Sequence, residues 1–432
     1  MESIWQQYSE KYSFPKLKEN IKTDVLIIGG GIAGILTAYF LHKKNIPYVL
    51  VEKNTIFSGN TQNTTAKITS QHGLIYHKIL QSEGTEKAQM YLKANEEAIR
   101  KYKELCSSID CDFEEKDNFV YSENNINILE DELSAIRKIG YKAEFQKNLP
   151  LPFETAGAVR FKNQAQFNPL KFLRTIAKDL NIYENTFIEE MVGCTAKTAD
   201  CTIEANKVVV ATHFPFINKH GSYPLKLYQD RSYVIALKNA QNVSGMYVDE
   251  KKTGLSFRNY GNFLLLGGGS HRTGKQGGNW AELCEFAKNN YPDAKEVTSW
   301  AAQDCMSLDE IPYIGNYSKN TPDLYVATGF NKWGMTSSMV SAMILSDMIQ
   351  GKKNDYAEVF NPSRSILKPQ LFINGFESAI NLLTPTTKRC PHLGCALKWN
   401  KAEHSWDCPC HGSRFTEDGK VLDNPANKYP PA

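Results

Sequence analysis

The sequence predicts an α/β chain with three parts. An open, mostly parallel sheet is interleaved with a second, mixed sheet, and a small cysteine- and histidine-rich module follows at the C-terminal end. Three observations lead there. The apolar run at residues 24–28 enters a glycine-rich turn and then a helical pattern. Runs at 207–212 and 323–328 have unbroken hydrophobic centres, Val208 to Ala211 and Leu324 to Ala327, as strands buried on both faces do. Four of the ten cysteines fall between Cys390 and Cys410.

The elements follow in order. Residues 24–42 read as strand, turn and helix, and a second run at 48–51 ends on Glu52, completing a βαβ unit with a parallel strand pair. Residues 84–106 are rich in Ala, Glu, Lys and Leu at helical spacing. Segments 233–237 and 262–266 are bounded by Gly, Asn and Pro, as antiparallel strands are. Residues 335–349 again show helical spacing, broken by the polar stretch 351–355. Beyond it, 371–383 reads as an amphipathic helix with Phe372, Phe376, Ile380 and Leu383 on one stripe.

Composition narrows the function classes. With 432 residues, 41% hydrophobic and 22% charged, the chain is an ordinary globular one of two to four domains. Fifty basic against forty-seven acidic residues leave a net charge of +3, too even for a nucleic-acid or acidic-membrane binder. The first twenty residues lack the apolar core of a signal peptide, and no stretch approaches the roughly 18 apolar residues of a membrane span. The expectation is a cytoplasmic protein with no membrane contact.

Gly29, Gly31 and Gly34 match the G-x-G-x-x-G pattern, in which the first glycine permits the turn, the second admits a pyrophosphate and the third lets helix and strand pack closely. Ile32 and Ala33 open the helix whose N-terminus faces the phosphates. Glu52, followed by Lys53, lies where an acid binds ribose hydroxyls. Strand, helix and acid together point to a dinucleotide rather than a packing turn. The turn itself leaves FAD and NAD open.

From residue 20 to 350 the chain resembles the flavoprotein family of D-amino-acid oxidase and glycine oxidase. The resemblance rests on the glycine turn, on residues 58–61 with Thr64, Thr65, Ala66 and Lys67, and on an adenine-side strand at 184–188 containing Ile188. It continues through the turn Ala211, Thr212, His213, the closing residues 309–315, Gly329, and Trp333, Gly334, Met335, Thr336 opening a helix. It implies FAD as cofactor, a Rossmann-type FAD-binding domain at 20–80, 150–220 and 310–355, and a mixed-sheet substrate domain at 81–149 and 221–309. Where the amino-acid oxidases of that family carry an arginine for the substrate carboxylate, this chain has Asp304. A carboxylate pairs poorly with another carboxylate, which points to an amine or other amino-acid-like substrate.

Residues 390–395, Cys-Pro-His-Leu-Gly-Cys, and 408–413, Cys-Pro-Cys-His-Gly-Ser, resemble the two cluster-binding loops of Rieske [2Fe–2S] proteins. The resemblance implies that Cys390 and Cys408 hold one iron, that His392 and His411 hold the other, and that Cys395 and Cys410 form a disulfide between the loops. Two cysteines and two histidines also suffice for structural zinc, but zinc requires neither the extra cysteine pair nor a glycine in each loop. Ser413 matches the serine that bonds cluster sulfur in high-potential members, whereas their tyrosine is replaced by Phe415. Fewer hydrogen bonds to sulfur lower the expected potential. The module spans 389–432, with 356–388 as a connecting helical segment.

The expected function is an FAD-dependent oxidoreductase acting on a CH–NH donor and exchanging electrons between flavin, cluster and a soluble one-electron carrier. A non-catalytic redox sensor, and a reductase running the flow in reverse, use the same parts.

Overall fold

The computed structural model describes residues 2–7 and 13–427; residues 428–432, the end of the stretch read as the cluster module, lie outside the described residues. The first sheet runs in the order Tyr313–Asn316, Leu324–Thr328, Thr202–Val210, Ile21–Ile28, Tyr48–Val51, Ile182–Tyr183, the first pair antiparallel and the rest parallel. Side-chain alternation explains its unbroken apolar runs. Val25 and Ile27 enter one core with the helices Ile32–Lys43 and Gly334–Ile349, while Leu26 and Ile28 enter the core on the opposite face.

The second sheet is mixed, in the order Lys295–Ser307, Leu227–Lys238, Phe263–Arg272, Ser256–Tyr260, Met246–Asp249, Glu114–Ser122, Gly157–Gln166, Lys67–Ile68. All these pairs are antiparallel except Met246–Asp249 with Glu114–Ser122. The helix expected at 84–106 begins earlier, as Ile75–Cys106, and is interrupted at Gly84, where φ is 87°.

One expectation is corrected. The adenine-side strand placed at 184–188 is instead Ile182–Tyr183, because the next residues bond away from the sheet. The Glu184 carboxylate accepts the N–H groups of Phe14 and Ile56, and the Thr186 hydroxyl accepts that of Leu17. The chain therefore leaves the sheet two residues after entering it.

A third sheet of four short antiparallel strands, Lys398–Asn400, Ser405–Asp407, Arg414–Phe415 and Val421–Asp423, carries the cysteine-rich loops. Its core is small: Cys390, Cys395, Leu397, Cys408, Cys410, Phe415 and Ala426, with Trp406 and Val421 at its edge. So few apolar groups need staples. The connecting helix is Pro369–Leu383. No helix among the described residues is long and apolar enough to cross a membrane.

Candidate functional site

A cavity of about 470 Å³ opens where the carboxyl ends of the first sheet's parallel strands meet the second sheet. Its floor is the glycine turn. Gly29 has φ of 114°, and a Cβ there would stand 2.5 Å from the carbonyl oxygen of Ala211. A Cβ on Gly34 would stand 1.9 Å from the carbonyl oxygen of Gly29. Two strand ends and a helix start thus approach so closely that only hydrogen fits between them. Glu52 closes the second strand with its carboxylate accepting the N–H groups of Gly30 at 2.8 Å and Asn54 at 2.9 Å.

Most residues expected at the cofactor line this cavity: Gly29, Gly31, Ile32, Ala33, Glu52, Lys53, Thr64, Thr65, Lys67, Ile188, Ala211, Thr212, His213, Gly329, Trp333, Gly334 and Met335. Three do not. Gly34 packs beneath Gly29, Ala66 is fully buried with its carbonyl taken by Arg258, and the Thr336 hydroxyl bonds the Thr69 carbonyl and lies 2.9 Å from His72 Nε2.

On the second-sheet side, Asp304 lines the cavity from the strand Lys295–Ser307. Burial raises its carboxyl pKa, countered mainly by Lys332 and His213. Lys332, in a left-handed conformation, holds its ammonium to Ser270 Oγ at 3.2 Å and to the Lys252 carbonyl at 3.3 Å. The cavity therefore places a carboxyl group and an ammonium within electrostatic reach of one another. Lys67 is pushed down to about 7 by burial and then by Arg258. His213, whose Nε2 is buried without a hydrogen-bond partner, is held below the usual imidazole range by burial.

The two cysteine-rich loops face each other across the module. Cys395 and Cys410 form a disulfide, with Cα atoms 6.7 Å apart. The sulfurs of Cys395, Cys408 and Cys410 lie within 4.8 Å of one another; the bridge removes two of them as ligands, leaving the free thiol of Cys408, with that of Cys390 beside it. The Cys390 thiol is drawn down to about 7, chiefly by Cys408, against its own burial and with help from nearby N–H groups and Ser413. The rings of His392 and His411 stand 5.0 Å apart and perpendicular. Burial holds both neutral, His392 at about 4 and His411 at about 3. His392 Nε2 lies 3.2 Å from Asn218 Oδ1 and His411 Nε2 lies 3.0 Å from the Pro224 carbonyl, so each ring is oriented by its outer nitrogen while Nδ1 of His392 is buried and unpartnered.

These loops are seated on the cavity wall. Gln229 donates to the carbonyls of His411 and Asn424, and Gln303 donates to the carbonyl of Gly412 and to the Gln229 oxygen. Asn424 donates to the carbonyls of Thr212 and Phe214. Phe214, fully buried, lies 6.2 Å from the His392 ring and 6.0 Å from the His411 ring. Its neighbours His213 and Thr212 are cavity wall, as are Leu422, Asp423 and Asn424 of the module.

Comparison with known proteins decides the family. A family model described as FAD dependent oxidoreductase (DAO) matches residues 24–348. The chain belongs to that family. Within this FAD-dependent oxidoreductase a second model, the Rieske [2Fe-2S] domain, matches residues 380–430. A Bacillus subtilis (strain 168) protein, YhfW, named as a Rieske 2Fe-2S iron-sulfur protein, is 35% identical over 99% of this chain and 96% of its own length. The module alone resembles the cytochrome b6-f complex iron-sulfur subunit of Nostoc punctiforme, at 36% identity over 18% of this chain and 37% of that one. Glycine oxidase from Geobacillus kaustophilus shares the fold, with TM-score 0.67 at 21% identity over 80% of this chain and 99% of that one. L-proline dehydrogenase from P. horikoshii gives 0.66 at 16% over 81% and 98%.

The oxidoreductase has residues that fit both groups. For FAD, the test is the side-chain-free floor at Gly29 and Gly31 beside the Glu52 carboxylate. For the cluster, it is a pair of buried free thiols on the same two loops as a pair of neutral imidazoles, one of them with an orphaned Nδ1. Sequence reasoning missed Lys332, Phe214, Gln229 and Gln303. Lys332, Phe214 and Gln303 each stand next to a recognised residue, Trp333, His213 and Asp304, whereas Gln229 carries no local signal.

Proposed function

We propose that this oxidoreductase is a dehydrogenase of an amine or amino-acid-like substrate that passes electrons through its Rieske centre to an external one-electron carrier. The single observation that carries the reading is the seating of the cluster loops on the flavin cavity, with one buried ring, Phe214, against both histidines. The flavin supplies the exchange between two-electron and one-electron chemistry, and a cluster with two histidine ligands sits between roughly −150 and +300 mV. Cys390 and Cys408 would hold one iron through sulfur, and His392 and His411 the other through Nδ1. Gln229, Gln303 and Asn424 fix the loops against the wall.

In the cavity, Asp304 would attract the substrate nitrogen and Lys332 an acidic group. Anaerobic addition of amines and amino acids to the purified protein tests the reading. Flavin bleaching followed by the reduced-cluster paramagnetic signal is the expected result; bleaching without a cluster signal would remove the electron route.

Two further outcomes are expected. Lys332→Met raises KM for a carboxylate-bearing substrate on the order of tenfold, the loss of one charged hydrogen bond, and leaves KM for the matching simple amine unchanged; equal effects on both would discard the assignment. Phe415→Tyr raises the cluster potential if its hydroxyl reaches cluster sulfur, since Phe415 is fully buried in the module core. An unchanged potential in spectroelectrochemical titration would show that Phe415 does not set it.

A further inference from the structure

The helix Pro369–Leu383 is inside out. Its polar residues face the protein: Asn374 and Asn381 are 2% and 3% exposed, Asn374 accepts from Arg272, and Glu377 pairs with Lys275. Its apolar stripe faces away, with Phe372 at 71%, Phe376 at 65% and Leu383 at 82% exposed, and Ile373 and Ile380 between them. The stripe seen in the sequence therefore does not pack on the flavoprotein body. It continues onto the cluster loop, where Leu393 is also exposed and the Ala396 N–H bonds the Asn381 carbonyl. Single exposed apolar side chains are normal, but a contiguous row of this size marks an interaction surface.

Charge and shape choose the occupant. Between residues 359 and 402 there are six Lys and Arg residues; Arg364 and Lys368 are paired with Asp309 and Glu83, which leaves Lys388, Arg389, Lys398 and Lys401 against one carboxylate, Glu377, itself paired with Lys275. Lys388 and Arg389 follow the helix, with Arg389 bonded to the carbonyls of Leu382 and Thr384. A second copy of the same face would bring these cations together. A protein partner would need a groove to receive a row of protruding side chains, whereas acyl chains adapt to any ridge. We infer that this face docks on an anionic lipid surface, the helix lying in the headgroup boundary with the cluster loop beside it. Such binding needs one apolar face and no spanning segment, and it revises the expectation of no membrane contact.

Flotation of the full-length holoprotein with vesicles of phosphatidylcholine, with and without phosphatidylglycerol, tests the proposal. The protein is expected to float with the anionic vesicles, less so as salt rises. A Phe372→Ser/Phe376→Ser variant should lose about tenfold or more of that binding, and Lys388→Glu should lose the preference for anionic lipid, both with unchanged flavin and cluster spectra. If the double variant loses those spectra, Ile380→Ser serves in its place. Wild-type protein that stays at the bottom of the gradient with both vesicle types overturns the proposal. So does light scattering showing a dimer that the serine variant abolishes, which would assign the face to a second copy.

Discussion

A Gly34→Ala protein is expected to be isolated without bound flavin. The added methyl would overlap the carbonyl oxygen of Gly29, which is itself held against Ala211 by a φ that side chains avoid. Neither neighbour has room to move, because Gly29 N–H bonds the Val51 carbonyl and Ala211 N–H bonds that of Ile28. Overpacking costs about 1–3 kcal/mol where side chains can yield, and backbone yields less. The helix start must tilt away from the turn, which moves the N–H groups that meet the pyrophosphate. Flavin content and iron content of the same preparation check this. Full flavin occupancy with an unchanged thermal midpoint would show that the turn tolerates the methyl group and that the close approach is not required.

Glu403→Gln is expected to loosen the cluster module from the flavoprotein body. Glu403 accepts from Arg231 of the second sheet at 2.9 Å, from Arg414 at 2.8 Å and from the Tyr233 hydroxyl at 3.0 Å, and it is 9% exposed. Burial alone would raise its pKa, but Arg231 and then Arg414 hold it at about 2. A carboxyl whose folded pKa lies below its unfolded value of 4.5 contributes stability above pH 4.5 and loses it as pH falls toward about 2. That contribution amounts to about 3 kcal/mol. Removing the charge also leaves Arg231 buried and unpaired, a change that costs about 3–5 kcal/mol in comparable pairs. Thermal unfolding followed by cluster absorbance should show a large destabilisation at pH 7 that shrinks toward pH 3. Equal midpoints for variant and wild type at neutral pH would exclude a structural role for the pair.

Local motifs were legible in the sequence, and contacts across the fold were not. The glycine turn with Glu52 lies within 24 residues, and each cluster loop within six, so spacing alone placed them. Asp304 was found because it replaces a recognised residue. Phe214 directly follows the recognised turn Ala211, Thr212, His213, but its role comes from rings 178 and 197 positions away. Gln229 and Gln303 likewise acquire partners only when strands of the second sheet meet loops near the C-terminus. Helical spacing revealed the stripe of Phe372 and Phe376 but not the direction it faces. That direction is set by Asn374 and Glu377 finding polar partners on the body, and by Asn381 taking the Ala396 N–H of the cluster loop on its carbonyl.

The cavity wall begins at Ile28 and is finished by Leu422, Asp423, Asn424 and Asn427. A ribosome must therefore deliver nearly the entire polypeptide before the pocket has its full enclosure. Until then the nascent dinucleotide unit offers its turn to a cofactor through an open side. An error in the last segment therefore reaches the wall of a cavity whose floor is the turn after the first strand.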